Sequence, residues 1–152
     1  MSQIEKRIID LGFVLPETSK PLAAYIPAVQ SGNLVFTSGQ LPMIDGSLAE
    51  TGKVGGSVSP ERAKELATVC VLNALAAVKT VIGDLDKIKR VVKVVGFVSS
   101  TPEFSGQPGV VNGASELLGD VFGDKGIHAR SAVGVAVLPL DAPVEIELIV
   151  EV

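Results

Sequence analysis

The run from Val91 to Ser99, Val-Val-Lys-Val-Val-Gly-Phe-Val-Ser, most restricts what this chain can fold into. Five of its nine residues are valine, whose branched side chain is stiff and favours the extended backbone. Apolar and polar residues do not alternate along it, so it predicts a strand covered on both faces. Ala132 to Leu138 has the same character and predicts a second buried strand, closed by Pro139. Between the two, Val110, Ala114, Leu117, Leu118 and Val121 recur at helical spacing and predict a helix that stops near Gly123.

The remaining elements follow from local signals. Ser2 with Glu5 forms a capping-box pattern, and Ile4, Ile8 and Leu11 continue it as a short helix ended by Gly12. A stretch holding Pro16, Pro21 and Pro27 leads into residues 28–37, where Gly32-Asn33 between apolar runs predicts a hairpin. Residues 44–57, with Gly46, Gly52, Gly55 and Gly56, read as a loop. Ser59-Pro60-Glu61 starts a helix: a cap, a proline in the first turn and an acid at the positive end of the dipole. Its stripe of Ala63, Leu66, Ala67, Cys70, Val71, Ala74, Val78 and Val81 is wide enough to lie on a sheet, and Gly83 ends it. In the last segment Val144, Ile146, Leu148 and Val150 face one way, and Glu145, Glu147 and Ile149 the other. Glu147 and Glu151 read as a solvated face.

The order is helix, strand, strand, helix, strand, helix, strand, strand. It predicts one α/β (α+β) domain over residues 1–152, with a single sheet and two long helices on one face. The second face of the apolar strands must also be covered, and a partner subunit is the expected cover.

Composition narrows the function classes. The net charge is −4, aromatics are 4% and tryptophan is absent, so neither a phosphate backbone nor a stack of bases is an expected partner. The single cysteine, Cys70, sits on the helical stripe, reads as core, and suits a reducing compartment. The N-terminus lacks the apolar core of a signal peptide, and every apolar run is broken well before the roughly 20 residues that span a bilayer. These features predict a cytoplasmic protein with no membrane partner. One histidine and one cysteine on unrelated segments make no metal site, and no phosphate-binding glycine loop or nucleophile elbow is present.

Charged and polar residues beside the apolar strands are the candidates for chemistry. Arg130, just before the strand 131–138, is either a surface residue at a strand end or a clamp whose planar fork holds a carboxylate by two parallel hydrogen bonds. Glu145, on the far face of the last strand, is either exposed or a group that positions water and moves protons. Ser38-Gly39 follows a strand directly, where the glycine serves a turn or lets a ligand approach the backbone. Tyr25, the only tyrosine, packs at a rim or points into a pocket. His128 reads first as a packed, hydrogen-bonded histidine.

Two blocks bring these residues together. Residues 32–42, Gly-Asn-Leu-Val-Phe-Thr-Ser-Gly-Gln-Leu-Pro, and residues 129–139, Ala-Arg-Ser-Ala-Val-Gly-Val-Ala-Val-Leu-Pro, followed by Val144-Glu145-Ile146-Glu147, resemble the signatures of the Rid (reactive intermediate deaminase, YjgF) family. The resemblance runs from about Tyr25 to the end. It implies a chorismate-mutase-like domain with a mixed sheet, a homotrimer, and small-molecule sites between subunits. It also implies hydrolysis of 2-aminoacrylate-type enamines and imines to 2-keto acids and ammonia, with no cofactor and no metal. By this resemblance Arg130 binds the substrate carboxylate, Glu145 places the water, and Tyr25, Ser38, Gly39 and Asn112 line the pocket. Backbone amides near Gly39 or Ala132 orient the substrate. The helix 1–12 is an addition to the compact members, the loop 43–58 is longer, and the Asn112-to-Arg130 spacing is one residue longer. A non-enzymatic trimer that binds a small carboxylate metabolite for signalling or buffering would use the same Arg130.

Strand geometry adds one expectation of its own. The turn with Pro139 and Pro143 makes the last two strands antiparallel, so Arg130 and Glu145, each at a strand start, should lie about 20 Å apart. A small imino acid cannot bridge that gap within one chain, so a shared ligand needs two chains.

Overall fold

The structure, a computed structural model, describes residues 1–18 and 24–152, so Pro21 lies outside the described residues. The N-terminal helix α1 (Gln3–Asp10) starts with the capping box: Glu5 N donates to Ser2 Oγ at 3.0 Å, and Ser2 N donates to the Glu5 carboxylate at 3.1 Å. Two further free amides at this end, Gln3 N and Ile4 N, donate to the Asp86 carboxylate at 2.9 Å each. Glu5 also pairs with Lys79, and Ile8 is fully buried, so α1 is fastened to the domain rather than trailing from it.

The strands β1 (Ala28–Ser31) and β2 (Leu34–Thr37) form the expected hairpin, with Gly32 at φ 60° in its two-residue turn. The loop reading of 44–57 needs correction. Met43–Ile44 (β3) pairs with Ser47–Leu48 (β4) around Asp45-Gly46, whose φ values are 51° and 84°. Asp-Gly is the usual dipeptide for such a turn, but two-residue strands are too short to show a period. Helix α2 (Pro60–Ile82) opens with Arg62 N donating to Ser59 Oγ at 3.1 Å and ends at Gly83, φ 79°. It is long enough to cross a membrane, but 67% of its most apolar window is buried inside the domain, which marks it as a core helix. Then come β5 (Arg90–Ser99), α3 (Gln107–Phe122), β6 (Ala129–Val135) and β7 (Val144–Glu151).

The five-stranded sheet has the order β1-β2-β7-β5-β6. Only β5 and β6 run parallel, joined by α3 as the crossover; the other pairs are antiparallel, so the sheet is mixed. Val94 and Val98 of β5 and Val144, Ile146, Leu148 and Val150 of β7 are buried in the core shared with α2 and α3. The two helices touch closely at Gly113, where an added Cβ would lie 2.0 Å from the Lys64 carbonyl oxygen. Gly96 similarly leaves room for Val111 beneath α3.

The second apolar strand differs from expectation. It spans Ala129–Val135 rather than 132–138, because its pairing with β5 begins at Ala129 opposite Lys93. It is an edge strand and not buried: Val133 is 45% exposed in the single chain. Leu138 leaves the sheet and joins Leu41 and Ala142 in a small apolar cluster with Phe97, Met43, Leu48 and Val135. Arg130 therefore lies inside β6, not before it. The antiparallel relation of β6 and β7 holds, but β5 runs between them. On the sheet face away from the helices Phe36 and Val29 are exposed and Val95 is half-buried, as are Glu147 and Glu151, which had read as solvated.

Gly113→Ala forces apart the closest contact between α2 and α3, because backbone cannot give way as a flexible side chain can. We expect a loss of about 1–3 kcal/mol in denaturant unfolding, whereas Gly109→Ala, where an added Cβ meets nothing within 4 Å, should gain up to about 1 kcal/mol.

Candidate functional site

Arg130 is opposite Val94 in the parallel β5–β6 ladder, so its side chain shares the helix face with that core valine. As an edge residue it reaches α3 instead of the core. Its Nη1 donates to Asn112 Oδ1 at 2.7 Å and to Ser115 Oγ at 3.2 Å. Asn112 and Ser115 stand three residues apart on α3, a spacing that puts them on one face. Ser115 Oγ is also 2.9 Å from His128 Nε2, and His128 Nδ1 is 2.6 Å from the Gly126 carbonyl oxygen. Ser115 was not singled out from the sequence. Its signal was the i, i+3 relation to Asn112, which becomes informative only once Arg130 is known to sit beneath that face.

Glu145 is opposite Phe97 and alternates with the buried Val144 and Ile146, so it lies on the sheet face away from the helices. The segment after β2 crosses beside it. Gln40 and Ile146 exchange backbone hydrogen bonds of 2.8 and 3.0 Å, which hold Gly39 against the glutamate. An added Cβ on Gly39 would lie 2.0 Å from Glu145 Oε1. Gly39 thus makes room for a carboxylate of its own chain. Ser38 ties in the Tyr25 segment: its Oγ donates to the Ile26 carbonyl at 2.7 Å and its N to the Pro27 carbonyl at 2.8 Å. Burial, and second the nearby Glu147 carboxylate, push the Glu145 carboxyl above its ordinary 4.5. Among the described residues no group of three or more His, Cys, Asp or Glu side chains is placed to hold a metal ion.

One chain therefore carries two separate polar clusters. Arg130, Asn112, Ser115 and His128 cluster on the helix face at the β6 edge, with Ala132 one pleat further along the same face. Glu145 and the adjoining Gly39 belong to the opposite face, and Ser38 links them to the segment of the 46% exposed Tyr25. Their separation corrects the earlier figure. Val94 and Phe97, their partners on β5, are three residues apart, and two strand spacings separate β6 from β7, which gives roughly 14 Å between backbones. That is shorter than the length of a strand, but the sheet itself now stands between the two side chains.

Comparison with known proteins agrees with this architecture. The model of the "YjgF/chorismate mutase-like, putative endoribonuclease" family matches residues 5–152. The chain belongs to the Rid (YjgF) family. The family match begins inside α1. Among solved structures, the Agrobacterium tumefaciens protein Atu1372, described as of unknown function, superimposes with a TM-score of 0.93 at 51% identity, covering 99% of this chain and 92% of that one. Protein TCP17 of Trypanosoma cruzi is 44% identical over 93% of this chain and 89% of its own length. The 2-iminobutanoate/2-iminopropanoate deaminase of Dermatophagoides farinae is 34% identical over 95% of both chains. Across the eighteen-residue interval Asn112 comes within hydrogen-bond reach of Arg130.

The Glu145 carboxyl, followed by carbon-detected NMR, should titrate with a midpoint above 4.5. Glu147→Gln removes the smaller cause, so the midpoint should fall yet stay above 4.5. A wild-type midpoint at or below 4.5 would show that burial does not raise this carboxyl.

Proposed function

We propose that this Rid-family chain forms a homotrimer and hydrolyses small 2-imino acids to 2-keto acids and ammonia, in clefts where Arg130 of one subunit faces Glu145 of the next. The observation that carries the reading is the two-faced arrangement: a guanidinium held by Asn112 and Ser115 on one face, and a carboxylate seated on Gly39 on the other. A ligand served by both requires a second copy. The exposed apolar side chains on the Glu145 face, Phe36 and Val29 among them, support the same assembly, since a monomer leaves them in water. Kinship with a 2-iminobutanoate/2-iminopropanoate deaminase supports the substrate class.

The chemistry asks little of the protein. Arg130 holds the substrate carboxylate, which places the imine carbon near Glu145. Water adds to the carbon of the iminium, and Glu145 accepts one water proton. The carbinolamine nitrogen takes that proton back and leaves as the hydroxyl becomes the keto oxygen; the hydroxyl proton departs with ammonia as ammonium. A carboxyl whose proton affinity is raised by burial is a better base for the first transfer, and activity should fall as pH drops through its midpoint. Tyr25, Ser38 and Gly39 line the Glu145 side of the cleft, and Asn112 and Ala132 the Arg130 side.

Arg130→Lys keeps the charge and loses the fork. Ammonia release from 2-iminobutanoate generated in situ should fall by at least about tenfold, with the sedimentation mass unchanged from a wild-type trimer. Wild-type activity in this variant counts decisively against the clamp, and a wild-type mass of one chain against the assembly.

Mixing tests the shared cleft. Arg130→Ala and Glu145→Ala are each expected to be inactive alone. After subunit exchange, mixed trimers should regain ammonia release, because some clefts then pair an intact Arg130 with an intact Glu145. No recovery in mixed trimers verified by mass would rule out sharing between chains, and carboxylate binding without ammonia release by the wild type would make the protein a binder rather than an enzyme.

A further inference from the structure

Arg130 is held by more than Asn112, and the polarity of its support can be worked out atom by atom. The Gly126 carbonyl oxygen accepts only, so His128 Nδ1, 2.6 Å away, carries the ring proton. In the neutral ring Nε2 is then an acceptor, and Ser115 Oγ, at 2.9 Å, donates to it. With its proton committed to His128, Ser115 has only lone pairs to offer Arg130, whose Nη1 donates to it at 3.2 Å. The other Nη1 hydrogen goes to Asn112 Oδ1 at 2.7 Å. The chain of bonds is anchored at its far end as well. Gly126 is packed against α3 so tightly that an added Cβ would lie 2.1 Å from the Leu118 carbonyl oxygen.

Both hydrogens of Nη1 are thus occupied. A guanidinium has five, so Nε–H and the two Nη2 hydrogens remain. Among the described residues nothing pairs with them. The Nε and Nη2 hydrogens on one edge of the plane are parallel and match the two oxygens of a carboxylate.

We propose that Ser115 and His128 are positioning residues, which set the Arg130 guanidinium so that a carboxylate docks side-on, on its Nε/Nη2 edge. The inference rests on the clamp reading of Arg130 given above. His128 acts through Ser115: its Nε2 accepts the hydroxyl's hydrogen bond and so keeps Ser115 an acceptor toward Arg130. Without that acceptor Ser115 is free to rotate and donate, Nη1 loses a partner, and the guanidinium turns about its own bonds. The substrate carboxylate is held alike before and during the reaction, so such losses raise KM more than they lower kcat.

The test is calorimetric binding of 2-oxobutanoate to the assembled protein, with wild type, Arg130→Ala, Ser115→Ala, His128→Phe and His128→Gln compared. Ser115→Ala and His128→Phe should each weaken binding about tenfold, as expected for one lost hydrogen bond to a charged group, with full site stoichiometry and an unchanged trimer mass. In deaminase assays the same two variants should raise KM and retain most of kcat. His128→Gln should bind close to wild type, because its amide oxygen can take the place of Nε2 as acceptor. That rescue separates positioning from a general packing role, which glutamine would not restore. Arg130→Ala should lose binding outright. If it does while Ser115→Ala and His128→Phe bind as wild type, the positioning role is wrong and the clamp stands. If His128→Gln is as weak as His128→Phe, the acceptor role is wrong. Wild-type binding by Arg130→Ala would overturn the clamp and this inference with it.

Discussion

The pairing of β5 with unlike neighbours governs the rest of the molecule. β6 runs parallel to it and β7 antiparallel, and the registers place Arg130 opposite Val94 and Glu145 opposite Phe97. Because side chains alternate along a strand, an odd offset of three residues sends the two groups to opposite faces. A slip of one residue in either ladder would bring both to the same face and bury one of them among valines. The burial of Val144, Ile146, Leu148 and Val150 against α2 and α3 resists that slip. The core thereby specifies where the chemistry-bearing groups point.

Glycines let the layers come close enough for this to work. Gly113 admits the Lys64 carbonyl between α2 and α3, and Gly96 admits Val111 above the sheet. Together they seat α3 low over β5, within reach of the β6 edge, where Asn112 and Ser115 meet Arg130. Gly39 performs the corresponding task on the other face by leaving space for the Glu145 carboxylate. At none of these three is the φ positive, so what matters there is the missing Cβ and not a special backbone angle.

Much of this was legible in the chain. The capping box at Ser2 and Glu5, the Ser59-Pro60 start, the stops at Gly83 and Gly123 and the alternation from Val144 are local signals, decided within a turn of helix or a few residues of strand, and each appears where its physics places it. The Arg130 and Glu145 blocks were legible for the same reason, as contiguous motifs. The bounds of β6 were not. Ala132 to Leu138 is uniformly apolar, and nothing local says that pairing with β5 starts at Ala129 and that Leu138 departs for a cluster with Leu41 and Ala142. The β3–β4 hairpin was equally hidden, its turn visible in Asp45-Gly46 but its strands too short to show a period.

The sequence by itself determined the element order, the apolar stripes and the kinds of group available for chemistry, because propensity, capping and periodicity act over a few residues. Only the tertiary structure decided which groups meet. Ser115 and His128 are thirteen residues apart, and Arg130 and Asn112 eighteen, yet they form one hydrogen-bonded chain. Arg130 and Glu145 are fifteen apart in the motif, yet a sheet separates them. Contacts of that kind depend on strand register and helix seating, which are set by the packing of the whole core and by no local stretch of the chain.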